Sequence, residues 1–209
     1  MFEIDHPPLR QLYDLNRTLR QRESLLGSGL SPGLERVGLC LMSDLFRSSW
    51  SPLEKPVEAG DWCRPLNTYP FAVTGGEDTQ FGLLVEKDRV TAESPVVLTV
   101  PHSGGNAEAS NFIVGENLID FLCLGYYRGY FSLEQLAFGF RDTLNAHLSP
   151  DWKPHKADVY IEMIEEEEQA VLDALIEAFD LEPSSYDLET FLELQDRHKP
   201  KLNYPPDEE

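Results

Sequence analysis

Apolar residues change their spacing twice along this chain, and the changes mark its elements. At the start the period is helical: Leu9, Leu12, Tyr13 and Leu19 share one face, Leu15 lies at its edge and Asn16 interrupts it, while Arg10 and Arg17 fall off it. All of 8–50 reads as helical. Gly27-Ser28-Gly29 stops the first helix, and Pro32 opens a second through about Trp50. Pro52, Pro56 and Gly60 then mark a loop.

Between 62 and 148 the period first falls to two. Tyr69–Thr74 predicts a short strand ended by Gly75-Gly76, and Gln80–Glu86 a second, with Phe81, Leu83 and Val85 alternating toward one face. The connection Gly75-Gly76-Glu77-Asp78 suits an antiparallel hairpin. Val96–Val100, bounded by Pro95 and Pro101, reads as a third strand, and Phe112-Ile113-Val114 as a very short fourth. Helices then return. One runs from Glu116 to Leu124 and stops at Gly125. Ser132-Leu133-Glu134-Gln135 has the form of a capping box opening another through about His147, with Leu133, Leu136, Ala137, Phe140 and Leu144 as its apolar stripe.

Pro150, Trp152 and Pro154 separate these elements from two further helices, over about 157–179 and 186–198, and from a Pro205–Glu209 tail that reads as disordered. No internal repeat is visible. The expected architecture is α+β, a small antiparallel sheet flanked by N-terminal and C-terminal helices. Residues 1–150 form its core domain, and 151–209 an acidic helical extension packed on or beside it.

The order of features from Phe71 to Leu124 resembles the SUKH superfamily, which includes cell-wall-assembly regulators and bacterial toxin-immunity proteins. The residues that carry the resemblance are Phe71–Leu84 with its Gly75-Gly76-Glu77-Asp78 turn, then Pro95-Val96-Val97, then Phe121-Leu122, about a quarter of the chain. The resemblance implies an antiparallel sheet packed against helices from both flanks of the sequence, and no enzymatic activity. For a bacterial member it implies neutralisation of a cognate toxin, often a basic nuclease, by direct binding.

Charge changes the picture independently. The chain carries 17 Lys and Arg against 37 Asp and Glu, a net of −20. Residues 157–209 hold 17 of the acids and three basic residues, whereas 1–50 balance six against six. Such a field repels nucleic acid and anionic membranes, and it attracts basic proteins. The alternative is that acidity only maintains solubility. No long apolar window and no basic, apolar leader pattern are present, so a cytoplasmic protein is expected. Cys40, Cys63 and Cys123 are scattered and odd in number, which favours buried reduced thiols over disulfides or a zinc site.

Candidate chemistry is sparse. Glu77 and Asp78 argue against phosphate at the glycine turn and leave it as a hairpin whose carboxylates can meet a cationic partner. His102-Ser103-Gly104-Gly105 lacks the serine elbow that an esterase oxyanion loop accompanies. Glu162 and Glu166 are spaced to share a cation, with His155 as a further candidate ligand, but bring no second helix of ligands. No metal or cofactor is therefore expected. His147 and His198 read as structural or solvated.

The run Glu165-Glu166-Glu167-Glu168 cannot share one helical face, and Glu168 would fall within the stripe of Ile161, Ile164, Val171, Leu172, Leu175 and Phe179. A helix starting near Ile164 resolves this by placing the glutamates at its N-terminal dipole. The alternatives are burial of Glu168 beside an arginine, or an exposed binding stripe. Tyr126, Tyr127 and Arg128 are of the types found in interface hot spots and also in ordinary inter-helix packing. The partner-binding candidates are therefore Glu77, Asp78, Glu162, Glu165, Glu166, Glu167, Tyr126, Tyr127 and Arg128. The expected function is non-enzymatic masking of a basic protein partner. The alternatives are a regulatory or scaffold protein for another cytosolic partner and, behind it, a metal-dependent enzyme with an acidic site.

Overall fold

The structure, a computed structural model, describes residues 3–26, 33–42, 62–75, 79–103, 106–153, 160–161 and 164–205. Five strands make one antiparallel sheet: β2 (Cys40–Leu41), β3 (Thr68–Val73), β4 (Gln80–Leu84), β6 (Val96–Thr99) and β7 (Asn111–Gly115), in the order β2-β3-β4-β6-β7. A separate parallel pair joins β1 (Glu3–Asp5) to β5 (Arg89–Thr91). The helices are α1 (Pro7–Leu26), α2 (Leu118–Leu124), α3 (Leu136–Leu148), α4 (Glu166–Phe179) and α5 (Leu188–His198). The α+β architecture with helices from both ends of the chain is as the sequence predicts.

The two-residue period of the strands sorts their side chains onto two faces. Phe81, Leu83, Val96, Leu98, Phe112 and Val114 enter the main core. There Phe121 of α2 lies 4.9 Å from Phe81 and 4.9 Å from Tyr130, ring centre to ring centre. Leu84, Val97 and Ile113 point the other way and meet Leu194 and Leu202. Both faces are covered, which explains why the short strands are apolar without a solvent side. The register of β3 shifts between Pro70 and Ala72, where proline has no N–H for the ladder.

Residues 8–50 are not helical throughout. After α1, Gly33–Val37 makes a single 3-10 segment, and Gly38 (φ +82°) then turns the chain left-handed. A Cβ at Gly38 would lie 2.5 Å from the backbone nitrogen of Phe131. Leu39 is buried and Cys40–Leu41 pair with β3, so this apolar run serves as an edge strand. Residues 43–50 lie outside the described residues. Asn16, the interruption on the face of α1, is buried because its Oδ1 accepts the N–H of Leu34 at 3.0 Å. Sequence pattern alone missed β1 and β5, which are three residues each.

The predicted capping box at Ser132 is not formed. Phe131–Gln135 is a 3-10 segment leading into α3, which kinks at Gly139, and the Ser132 hydroxyl bonds to a buried histidine instead. A buried imidazole needs a partner, whereas a helix end near the surface has other ways to satisfy its N–H groups.

The C-terminal helices belong to the same body. Val171, Leu172 and Leu175 of α4 and Phe191 of α5 enter the main core. α5 lies along β7, the last strand of the sheet, with Phe191 in one core and Leu194 in the other.

Candidate functional site

α4 begins at Glu166, with Glu165 as its N-cap. Glu168 folds back so that its Oε2 accepts the N–H of Glu165 at 2.8 Å, completing a reciprocal capping box. The conflict posed by the glutamate run is thereby settled in favour of an N-terminal start. Glu165, Glu166 and Glu167 are exposed in the first turn, where the helix dipole favours negative charge. An arginine from the N-terminal region does reach this run, but it meets Glu167. The Arg36 guanidinium lies 3.0 Å from the Glu167 carboxylate.

From 165 to 196 the sequence has twelve Asp and Glu and no Lys or Arg. Folding keeps most of them outside: Asp173, Glu177, Glu182, Glu189, Glu193 and Asp196 are all exposed on or between α4 and α5. Leu192, 44% exposed, sits among the carboxylates of α5.

A second surface feature adjoins the β3–β4 hairpin. Two clefts share Glu134 and Gln135 as a common wall. One, of about 230 Å³, is lined also by Thr74, Gly75, Phe131, Ser132 and Tyr160. The other, of about 350 Å³, is lined by Thr79, Val100, His102 and Phe138. Phe138 is 56% exposed and Tyr160 70%, large values for aromatic rings beside a concavity. The backbone N–H of Tyr160 reaches Gln135 Oε1 at 3.4 Å. Glu77 and Asp78 lie outside the described residues, between Gly75 and Thr79 in sequence; Glu162 is outside them too.

The aromatic link divides. Tyr126 and Tyr127 are half-buried and stack edge to face at 5.0 Å. Arg128 is 5% exposed. Its Nε donates to the carbonyl of Ala146 at 2.7 Å, and its Nη2 faces the carbonyls of Pro150 and Trp152 at 3.4 Å. It clamps the end of α3, because a guanidinium offers five donors and the last carbonyls of a helix need them.

Ser132 and His147 deserve comparison with a nucleophile and its base. Ser132 Oγ is 3.1 Å from His147 Nε2, and His147 Nδ1 is 3.2 Å from the carbonyl of Leu124. The carbonyl can only accept, so Nδ1 carries the proton and Nε2 accepts from the hydroxyl. Burial drives the pKa of His147 down to about 4, aided by the charge of Arg128. An imidazole so reluctant to take a proton is a poor general base near neutrality. Ser132 is itself only 4% exposed. The pair tethers α3 to the end of α2.

Cys63 is buried, and Cys40 and Cys123 are half-buried thiols whose pKa values burial pushes up. Among the described residues no three His, Cys, Asp or Glu side chains come together in a way that could hold a metal ion. Nor is any helix there long and apolar enough to cross a membrane. Sequence reasoning overlooked Glu134, Gln135 and Phe138 as surface features. The one available signal was Phe138 itself, an aromatic off the Leu133–Leu136–Phe140 stripe.

No family model, curated protein or solved structure matches the chain.

Proposed function

We propose that this protein acts without catalysis, by docking a basic protein partner, in the manner of the toxin-immunity proteins that the Phe71–Leu124 segment resembles. The observation that carries the reading is the acidic stretch 165–196, folded into two core-anchored helices that leave all its carboxylates but that of Glu168 exposed. A rigid array of like charges gains long-range attraction for an oppositely charged surface at no further ordering cost. Glu165, Glu166 and Glu167 provide one end of that array and the carboxylates of α5 the other. Tyr126 and Tyr127 are half-buried, so each leaves part of its surface open to solvent. Masking is steric as well as electrostatic, because charge complementarity mainly raises the encounter rate and partner choice.

The test begins with capture of the partner from the source cell and its identification by mass spectrometry. Association is then timed over a salt series. The rate constant is expected to fall at least about tenfold between low salt and about 1 M, where the screening length shrinks to about 3 Å. A rate indifferent to salt, or a partner without net positive charge, removes this mechanism.

A further inference from the structure

We infer that the turn Glu116–Asp120 is a proton-sensitive joint for α5, one that grips more firmly when Asp120 carries a proton; this goes beyond the docking reading and does not depend on it. Both ends of α5 are tied to this turn. Just before α5, the Tyr186 hydroxyl accepts the N–H of Glu116 at 3.1 Å and donates to Asp120 Oδ2 at 3.4 Å. In its last turn, Arg197 Nη1 lies 2.9 Å and His198 Nε2 3.1 Å from the Glu116 carboxylate. A change of charge at the turn therefore acts on both anchorages of the helix at once.

Asp120 is half-buried, and the side chains that donate to it are neutral: the Tyr186 phenol and the Asn117 amide, whose Nδ2 reaches Oδ2 at 3.2 Å. Glu116, at the start of the turn, and the exposed Glu93, in the loop after β5, face it as like charges. A half-buried carboxylate beside other carboxylates holds its proton more tightly than an exposed one. Burial first, and then the charges of Glu116 and Glu93, push the pKa of Asp120 up, against the opposing hydrogen bond from Tyr186. Both donors fall on Oδ2, so a proton on Oδ1 breaks neither bond. Protonation thus removes repulsion and keeps the contacts. Because the folded chain holds this proton more tightly than the unfolded chain, ionised Asp120 weakens the joint at neutral pH. That penalty disappears as pH falls through the folded pKa.

The test is amide hydrogen exchange on the ¹⁵N-labelled full chain, expressed as protection relative to an unstructured peptide so that the intrinsic effect of pH cancels. The reporter is the Glu116 N–H, which the Tyr186 hydroxyl accepts. Its protection is measured at about pH 4.5 and about pH 7 in the parent and in D120N, which keeps an oxygen for both donors without the charge. The ratio of protection in acid to that at neutral pH is expected to be at least about threefold greater in the parent than in D120N. D120N retains Glu116, Arg197 and His198, so their titration and the general relief of acidic repulsion are common to both proteins. E182Q, which removes an exposed charge from the α4–α5 connector, is expected to keep the parent's ratio. Should D120N not fold, carboxyl ¹³C resonances of the parent decide. Asp120 is expected to take up its proton at a higher pH than Asp187, whose carboxylate the backbone N–H and hydroxyl of Thr190 hold below the usual range. Equal ratios in parent and D120N, an E182Q ratio that falls as far as that of D120N, or Asp187 protonating first each overturn the joint.

Discussion

The side-chain amide of Gln195 on α5 pairs with the backbone of Ile113 on β7 as if it were another strand. Ile113 N–H donates to Gln195 Oε1 at 2.9 Å, and Gln195 Nε2 donates to the Ile113 carbonyl at 2.7 Å. β7 ends the sheet, and a bare edge would invite pairing with another chain. One amide meets both unpaired groups of the central residue, while Phe191 and Leu194 anchor the helix on either side.

Gln195→Ala should therefore cost about 2–4 kcal/mol, because it strands a buried donor and a buried acceptor together. Urea unfolding would show a lower midpoint with an unchanged slope. Gln195→Glu should be worse at neutral pH, since a carboxylate cannot donate to the Ile113 carbonyl. Its deficit should shrink in acid, where a protonated carboxyl again offers one donor and one acceptor. A deficit that does not depend on pH would mean that the amide pair is not the stabilising contact.

Two buried imidazoles make acid costly. His6 accepts the Leu9 N–H on Nδ1 at 3.0 Å, capping α1, and His147 holds α2 to α3; burial lowers both pKa values to about 4. The unfolded chain binds protons at these residues below about pH 6.5, and the folded chain does not until about pH 4. Unfolding between those limits takes up protons, so the stabilisation they provide is complete above about pH 6.5 and is lost as pH falls toward 4. His147→Gln, which keeps an amide near Ser132, should reduce the pH dependence across that window by about one proton. Comparing the two proteins cancels the opposing relief of acidic self-repulsion. Parallel stability curves would refute the assignment.

Gly125 ends α2 with an ordinary right-handed backbone (φ −79°), so conformational freedom is not its reason. A Cβ there would lie 2.3 Å from the ring of Tyr130, which is fully buried and donates its hydroxyl to the Leu122 carbonyl at 2.9 Å. Gly125→Ala should destabilise by about 1–3 kcal/mol through overpacking. Adding Tyr130→Leu should give a double variant less damaged than the sum of the two singles, because the smaller side chain makes room for the methyl. Strict additivity in thermal unfolding would place the strain elsewhere.

Glu168 closes the capping box of α4, yet it lies on the acidic run proposed to attract the partner. Glu168→Ala should cost about 1 kcal/mol of stability. Glu166→Gln should stay within about 0.5 kcal/mol of the parent, because it removes an exposed charge. Both should slow association with the partner similarly, since each removes one charge. A larger kinetic effect at Glu168 would indicate that order in the first turn of α4 matters beyond its charge.

The sequence alone determined the α+β class, the four main strands and the positions of α2 and α5, because each rests on a local rule. Alternation marks Phe81 and Leu83, proline pairs bracket Val96–Thr99, and the stripe of Phe191 and Leu194 repeats at helical spacing. The charge imbalance of 157–209 was equally visible, being a property of composition.

Only the tertiary structure decided where polar groups find their partners. Asn16 looks like a flaw in a helix face until Leu34 is beside it, and Arg128 reads as either a surface anchor or inter-helix packing until the carbonyls of Ala146, Pro150 and Trp152 meet its guanidinium. Ser132 looks like a cap until His147 competes for its hydroxyl. The clefts around Glu134 and Phe138 join residues from a hairpin, a loop and a helix start. Such pairings depend on contacts across tens of residues, and a polar side chain's sequence neighbours do not reveal which distant donor or acceptor burial will bring to it.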